Sequence, residues 1–438
     1  MSITTPNAEV ELRAEQAVAV DAGEERPATL AQLQAVLRRY RDTTTRIRIA
    51  GSNRRVERAA DELVIDMSGL RGVAHIDKAG QTATFLAGTT ADEAAAELEA
   101  HGYSMVSAPA DTAASLGGAV SVGAHGYSPK DTNFSASIVD LGLLTVDGNY
   151  LTVSARKNAE YWAAARLGLG VVGIITHVTV RIRKYQALRA QRFTRTLDEM
   201  LAELNEARSK VDFYRAQWKP TAAKARVEVG WLEDASPAAI PARTFTPPAN
   251  PEPGEKAGGF RNAIRRGLAR VLPKLAPIVD RVSTVVDRGD APGLRDGRDV
   301  AGRSEHGRVM EYQFPQHAVA DAIADLGELA RVSHNFGGTR VRLSMIESDQ
   351  VLMSAAYGEP VVALAIEAHG ARAEAAFREA EELFIRRGGL PNWGTWNTFN
   401  GAEAADVMPR FGDFRHAVHD LDSHGRLVSG AASRLQLH

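Results

Sequence analysis

The stretch ASLGGAVSVGAHGYS, residues 114 to 128, sets His125 among four glycines, Gly117, Gly118, Gly123 and Gly126. Glycines thin the side chains along a backbone, so N–H groups here could approach a large planar or phosphorylated ligand. The same thinning serves tight packing between sheets, and composition alone does not separate the two. A second loop, GSNRR at 51 to 55, follows an apolar run but carries one glycine where a phosphate loop usually carries two. A third glycine run, LGLGVVGIIT at 167 to 176, precedes a strand and by itself reads as structural. Arg340 and Arg342 flank Val341, so on a strand both guanidinium groups project to one face. Two unpaired cations in a pocket repel and are costly to desolvate. Either a carboxylate, for which Glu311 and Glu347 are the candidates, or an acidic substrate has to lie between them. Glu311, in VMEYQFP, is a candidate base or else an anchor of a strand or pocket wall. His416 and His419 have helical spacing that can present two ligands on one face, but no third ligand accompanies them and no metal is expected.

These residues need elements to hold them, and the hydropathy pattern supplies an α+β arrangement. RIRIAG and ELVIDMSGL read as strands, AHID and TATFLAG as a hairpin around KAGQ, and LGLLTV and YLTVS as a hairpin around DGN. TTADEAAAELEAHG is a helix with Thr90 as N-cap, Glu93 completing a capping box and Gly102 at its end. Asn158 opens a short helix, and VVGIITHVTVRIR is a strand. Residues 236 to 256 carry six prolines and read as an exposed connection, followed by a basic helical segment interrupted by Pro273 and Pro277. From Glu311 the signals alternate again: a strand around VMEYQFP, a helix through AVADAIADLGELARV, strands around TRVRLSMIE and PVVALAIEAHG, and a helix from Ala371 to about Arg387.

With 438 residues, 44% of them apolar and 24% charged, the chain should bury two substantial cores. A formal charge of −2 gives no overall basic excess for nucleic acid. The absence of cysteine removes disulfides, thiolate metal sites and cysteine nucleophiles together. The N-terminus lacks a basic start and an apolar core of the signal-peptide kind, so a cytoplasmic location is expected. The basic stretch from Arg261 to Lys274, with apolar residues at helical spacing, is either a solvated face or a peripheral membrane contact.

Taken in order, these pieces resemble the FAD-binding domain of the vanillyl-alcohol oxidase and p-cresol methylhydroxylase superfamily, in its aldonolactone oxidase and alditol oxidase branch. The branch pattern runs G-S-G-H-S, L-V-x-x-D, GG-x-x-x-x-G-x-HG, L-x-x-x-x-DG and LG-x-x-G-x-x-T. The matches are GSN at 51 to 53, LVIDMS at 63 to 68, GGAVSVGAHG at 117 to 126, LLTVDG at 143 to 148 and LGLGVVGIIT at 167 to 176. In the second half VDFYRAQWKP, MEYQFP, RVRLSMIESDQVLMSAAYG, GGLPNWGT and PRFGDFRHAVHDLDSHGRL continue it. The resemblance implies a p-cresol-methylhydroxylase-type FAD domain of two α+β subdomains over residues 1–185. A cap domain follows over 186–390, its sheet flanked by helices and its Pro-rich insertion around 236–307, and residues 391–438 return to the FAD domain. It places the cofactor against Gly51, Ser52, Asn53 and Arg54, against Ser115, Gly117, Gly118 and the Gly123–Gly126 run with Ala124 and His125, and against Gly173, Ile174 and Ile175. Ala124 stands where the family controls oxygen access to the ring. Arg340, Arg342, Glu311, His125, Asn392 and Thr395 fall on the catalytic side.

The resemblance further implies an FAD-dependent oxidation of a carbinol in a sugar-like, lactone or polyol substrate, with oxygen or another electron acceptor completing turnover. Three positions depart from the pattern. The phosphate loop has no histidine for a covalent flavin bond, so FAD is expected to be non-covalent, with Arg54 or Arg55 pairing with its pyrophosphate. The family's late H-W-G-K reads Asn392, Trp393, Gly394, Thr395, so a neutral hydroxyl replaces an ammonium near the ring. The acidic member of an E-x-R pair is Arg340. These changes leave open a tailoring flavoenzyme for a charged or non-sugar intermediate, and a binding protein that has lost the cofactor.

Overall fold

A computed structural model describes residues 23–41, 43–52, 62–234, 308–437 and, for backbone pairing, 293–294. Asn53, Arg54 and Arg55, the Pro-rich stretch and the basic segment lie outside the described residues. Strands are numbered here in chain order. A parallel four-stranded sheet has the order β1-β3-β2-β18, with β1 at Glu24–Glu25, β2 at Arg46–Ala50, β3 at Glu62–Asp66 and β18 at Leu427–Val428. An antiparallel sheet has the order β4-β5-β9-β7-β8, namely Val73–Asp77, Thr82–Leu86, Ile174–Lys184, Asp140–Leu144 and Tyr150–Ser154. Strand β6, Tyr103–Met105, pairs with β9. Both hairpins form where the alternating runs predict them. The capping box is also present: Thr90 accepts from the Glu93 N–H and Glu93 accepts from the Thr90 N–H, which starts the helix Ala91–Ala100.

Eight strands form the remaining sheet, in the order β13-β10-β12-β11-β15-β16-β14-β17. Their ranges are β10 Gln186–Thr196, β11 Phe213–Trp218, β12 Lys224–Asp234, β13 Gly293–Leu294, β14 Arg308–Pro315, β15 Arg340–Ile346, β16 Val361–Ala368 and β17 Leu390–Pro391. Alternation along each strand gives this sheet one apolar face and one polar face. Met310, Tyr312, Phe314, Val341, Leu343, Leu364 and Ile366 bury against the helices Leu197–Lys210, Val319–Val332 and Ala373–Arg386. Their neighbours Glu311, Gln313, Arg340, Arg342, Ala363, Ala365 and Glu367 share the opposite face, which is turned toward the first half of the chain.

A second core joins the beginning of the chain to its end. Leu33, Ile47 and Phe85 pack in the same cluster as Phe399, Phe411, Phe414, Val418 and Leu435. Val351, Leu352 and Met353, which follow β15, also belong to this cluster. Trp393 is fixed there by an indole N–H donated to the Met353 carbonyl at 2.8 Å. Among the described residues no helix is long and apolar enough to cross a membrane.

Candidate active site at the seam between the two cores

The turn that carries His125 follows the helix Leu116–Val122, which ends at Gly123 with φ +68°. Only a residue free of Cβ fits easily there, because a Cβ would also stand 2.6 Å from Leu167 Cδ1. The backbone then runs against residues 108 to 110: the Ala110 N–H donates to the His125 carbonyl at 2.8 Å. A Cβ on Gly126 would meet the Ala108 carbonyl oxygen at 2.6 Å, and one on Gly117 would meet Ala87 Cβ at 2.9 Å. At these two positions the glycine is required by the protein's own packing. The Tyr127 carbonyl accepts from the Tyr214 N–H at 2.8 Å and so ties the turn to β11.

His125 and Glu311, drawn from opposite halves, meet here with both side chains buried. Nε2 of His125 lies 2.8 Å from Oε1 of Glu311, and Nδ1 lies 3.0 Å from the Gly126 carbonyl. Both partners are acceptors, so the ring satisfies both only with two protons, as an imidazolium. Burial alone would lower the histidine pKa, but the charge and hydrogen bond of Glu311 outweigh it and hold the value above 6.5. Burial likewise opposes the charge on Glu311, yet His125, then the donors Asn392 and Gln313, bring its pKa down to about 2. Gln313 Nε2 and Asn392 Nδ2 also donate to Oε1, at 3.1 and 2.8 Å. Three donors therefore converge on one carboxylate oxygen. The other, Oε2, accepts no hydrogen bond among the described residues.

Strand register sets what lies beside this pair. Across four adjacent strands Gln217, Arg342, Ala365 and Glu311 stand in one row. The row therefore has a methyl group where its neighbours have long polar side chains. Arg342 Nη1 donates to the Tyr127 hydroxyl at 3.1 Å, and Nε lies 2.9 Å from Glu367 Oε1, a close ion contact rather than an aligned hydrogen bond. Tyr127 in turn lies under the guanidinium of Arg215, 5.3 Å from its ring centroid, and Arg215 pairs with Glu228 at 2.6 Å.

The carboxylate beside the two arginines is thus Glu367, and neither Glu311 nor Glu347 has that place. Glu311 is committed to His125, and Glu347 lies 3.6 Å from Arg208. Glu367 directly faces Arg340 in the register, but its carboxylate reaches diagonally to Arg342. The Thr395 hydroxyl is committed within its own turn. It accepts from the Glu311 N–H at 3.0 Å and donates to the Asn392 carbonyl at 2.9 Å, so both of its roles are used inside the turn that carries Asn392. Thr395→Val should leave the Glu311 N–H without a partner and lower stability by about 1–3 kcal/mol, read from the urea midpoint. A change under about 0.5 kcal/mol would show that the hydroxyl is dispensable to the turn.

On the cofactor side, Gly51–Ser52 and Ser115–Gly118 are brought together: Ser52 Oγ accepts from the Ser115 N–H at 2.9 Å, and Ser115 Oγ from the Gly118 N–H at 3.3 Å. A Cβ on Gly51 would lie 2.4 Å from Ser115 Oγ. Ser107 Oγ, in the segment packed on the His125 turn, is buried without a hydrogen-bond partner. A polar ligand that reaches this segment would satisfy it, so the residues present fit an FAD. Gly173 has φ +139°, and the Ile174 and Ile175 side chains are packed in the second core, with Leu33 and Phe85. His416 and His419 line a separate surface cavity with Asp422 and His424. No cluster of three or more His, Cys, Asp or Glu among the described residues could hold a metal ion.

Tyr127, Gln313 and Glu367 are the site residues that the motifs miss. Gln313 carries a signal, since it falls two residues from Glu311 on one strand. Glu367 and Tyr127 become visible only through register and docking.

Residues 23–154 match the family model of the FAD binding domain, and residues 178–435 that of D-arabinono-1,4-lactone oxidase. An L-gulono-1,4-lactone dehydrogenase of Mycobacterium tuberculosis is 26% identical over 401 residues, covering 91% of this chain and 92% of its own. An L-gulonolactone oxidase of Scyliorhinus torazame is 22% identical over 422 residues, with 92% of each chain covered. In fold, a cholesterol oxidase from B. sterolicum superposes with a TM-score of 0.71 at 17% identity, covering 94% of this chain and 93% of that one. A solvent-stable cholesterol oxidase gives 0.73 at 15% identity, with 94% of each covered. The chain is an FAD-dependent oxidoreductase and belongs to the D-arabinono-1,4-lactone oxidase family.

Proposed function

We propose that this protein binds FAD without a covalent bond and oxidises a carbinol of an aldonolactone-like sugar beside Arg342 and the His125–Glu311 pair. The observation that carries the reading is the buried His125–Glu311 pair, in which one carboxylate oxygen is saturated by three donors and the other is open. When bound, FAD supplies the hydride acceptor, N5 of its ring. Glu311 Oε2 accepts the hydrogen bond of the carbinol hydroxyl and so aims its C–H. Gln313 and Asn392 hold the carboxylate against rotation. Arg342, with its charge kept by Glu367 and Tyr127, donates to the ring oxygen or carbonyl of the lactone. His125, once it has lost its proton, makes the pair a net acceptor for the hydroxyl proton.

The non-covalent attachment is supported by His125 itself, whose two ring nitrogens are both occupied, and by the absence of histidine from residues 51 to 55. Acid precipitation should release the yellow chromophore into the supernatant; colour that remains with the pellet would overturn this attachment. Anaerobic bleaching of the bound flavin by aldonolactones, tested against alditols, decides the reaction. A protein that binds FAD but is bleached by neither class would sink the proposed activity.

A further inference from the structure

We infer that Arg340 is a receptor for an oxyanion, a carboxylate or a phosphate, borne by the substrate at the end remote from the oxidised carbinol. This rests on the reaction proposed above and names its substrate class. Three neighbouring charges on the polar face of the eight-stranded sheet are matched. Glu311 is answered by His125, Arg342 by Glu367, and Arg215 by Glu228. Arg340 stands on the same face, in the neighbouring row of the register, with Glu367 directly across from it. That carboxylate turns away to Arg342. Among the described residues Arg340 makes no hydrogen bond and no ion pair, and its Nε is buried without a partner.

Arg340 is only partly buried, with its Nε shut from water and its outer nitrogens open, so the fork is free to meet an anion that would supply its missing counter-charge. The planar fork of an arginine matches carboxylate and phosphate oxygens two at a time. Glu311 stands two strands over and two residues along, so the two Cα atoms are separated by roughly 12 Å from ordinary sheet spacings. With Arg340 and Glu311 both reaching inward, a sugar-sized molecule with an acidic terminus spans the gap. Its hydroxyl end lies at Glu311 and its anion at Arg340.

The test titrates the FAD-loaded protein calorimetrically with three probes: galactose, galacturonate and galactose 6-phosphate. The wild type should bind at least one acidic probe roughly ten-fold more tightly than galactose, and Arg340→Met should bring that ratio close to one. The two acidic probes distinguish carboxylate from phosphate. Arg340→Met should also unfold at the same or a higher urea concentration in the absence of ligand, because it removes an uncompensated charge; a structural arginine would move the midpoint down. Arg340→Lys keeps the charge, loses the fork and should give an intermediate ratio, which serves if the methionine variant does not fold. Equal binding of neutral and acidic probes by the wild type, or a preference that survives in Arg340→Met, would overturn the inference. If acidic probes bind selectively yet no sugar bleaches the flavin, the oxidation reading fails and the anion site stands.

Discussion

Glu311→Gln should slow anaerobic flavin reduction by about 100-fold or more, the usual cost of losing a positioned acid–base group. It should also destabilise the protein near pH 6 by about 3 kcal/mol, toward the lower end for a broken buried ion pair, because His125 can release its proton once its counter-charge is gone. The dependence on pH follows from the two shifts. Folding raises the His125 pKa above 6.5, so its contribution to stability is fully present below 6.5 and is lost as pH rises through the folded value. Folding lowers the Glu311 pKa from 4.5 to about 2, so its contribution is present above 4.5 and is lost as pH falls toward 2. The pair therefore stabilises most between about pH 4.5 and 6.5. Wild type and Glu311→Gln should differ most in urea midpoint inside that window and converge on both sides of it. A difference independent of pH would show that the pair is not ionised.

Gly126→Ala should be nearly as damaging, through geometry alone. The new methyl would stand 2.6 Å from the Ala108 carbonyl oxygen, which is backbone and cannot rotate aside. Residues 106 to 110 are held by the Val106 N–H on the Arg181 carbonyl and the Ala110 N–H on the His125 carbonyl, so relief has to come from a shift of the His125 turn. A displacement of about 1 Å at a positioned catalytic group costs on the order of 100-fold in rate, and overpacking adds about 1–3 kcal/mol of instability. Gly148→Ala is the control. Gly148 has φ +83°, but a Cβ there meets nothing within 4 Å, so only backbone strain is added. If Gly126→Ala reduced its flavin at the wild-type rate, the turn would be more compliant than its contacts imply.

Local physics was legible in the sequence because it acts over a few residues. The capping box at Thr90 and Glu93, the two hairpins and the alternation through VMEYQFP and RVRLSMI all report on neighbours in the chain. That alternation also puts Arg340 and Arg342 on one face. It does not say which acid lies beside them: the sequence offers Glu311 and Glu347, and Glu367 becomes visible only once the register of β15 on β16 is set. Thr395 shows a different limit. A motif names the residue type at Thr395 but not the partners of its hydroxyl, and a hydroxyl short enough to bond its own turn does so. The glycines of 117 to 126 show a third, since close packing and ligand approach demand the same missing Cβ.

Strand β18 sits on β2, and the residues around it complete the core that Leu33 and Phe85 begin. During synthesis the first half of the chain therefore emerges with one edge of β2 unpaired and with its core lacking Phe411, Phe414, Val418 and Leu435. At about 5–20 residues per second that condition lasts for roughly half a minute, long enough for an open apolar surface and a bare strand edge to attract other chains. Folding of the cofactor domain thus waits for β18 to leave the ribosome. A stop codon just before Leu427 would abolish flavin binding at the opposite end of the sequence.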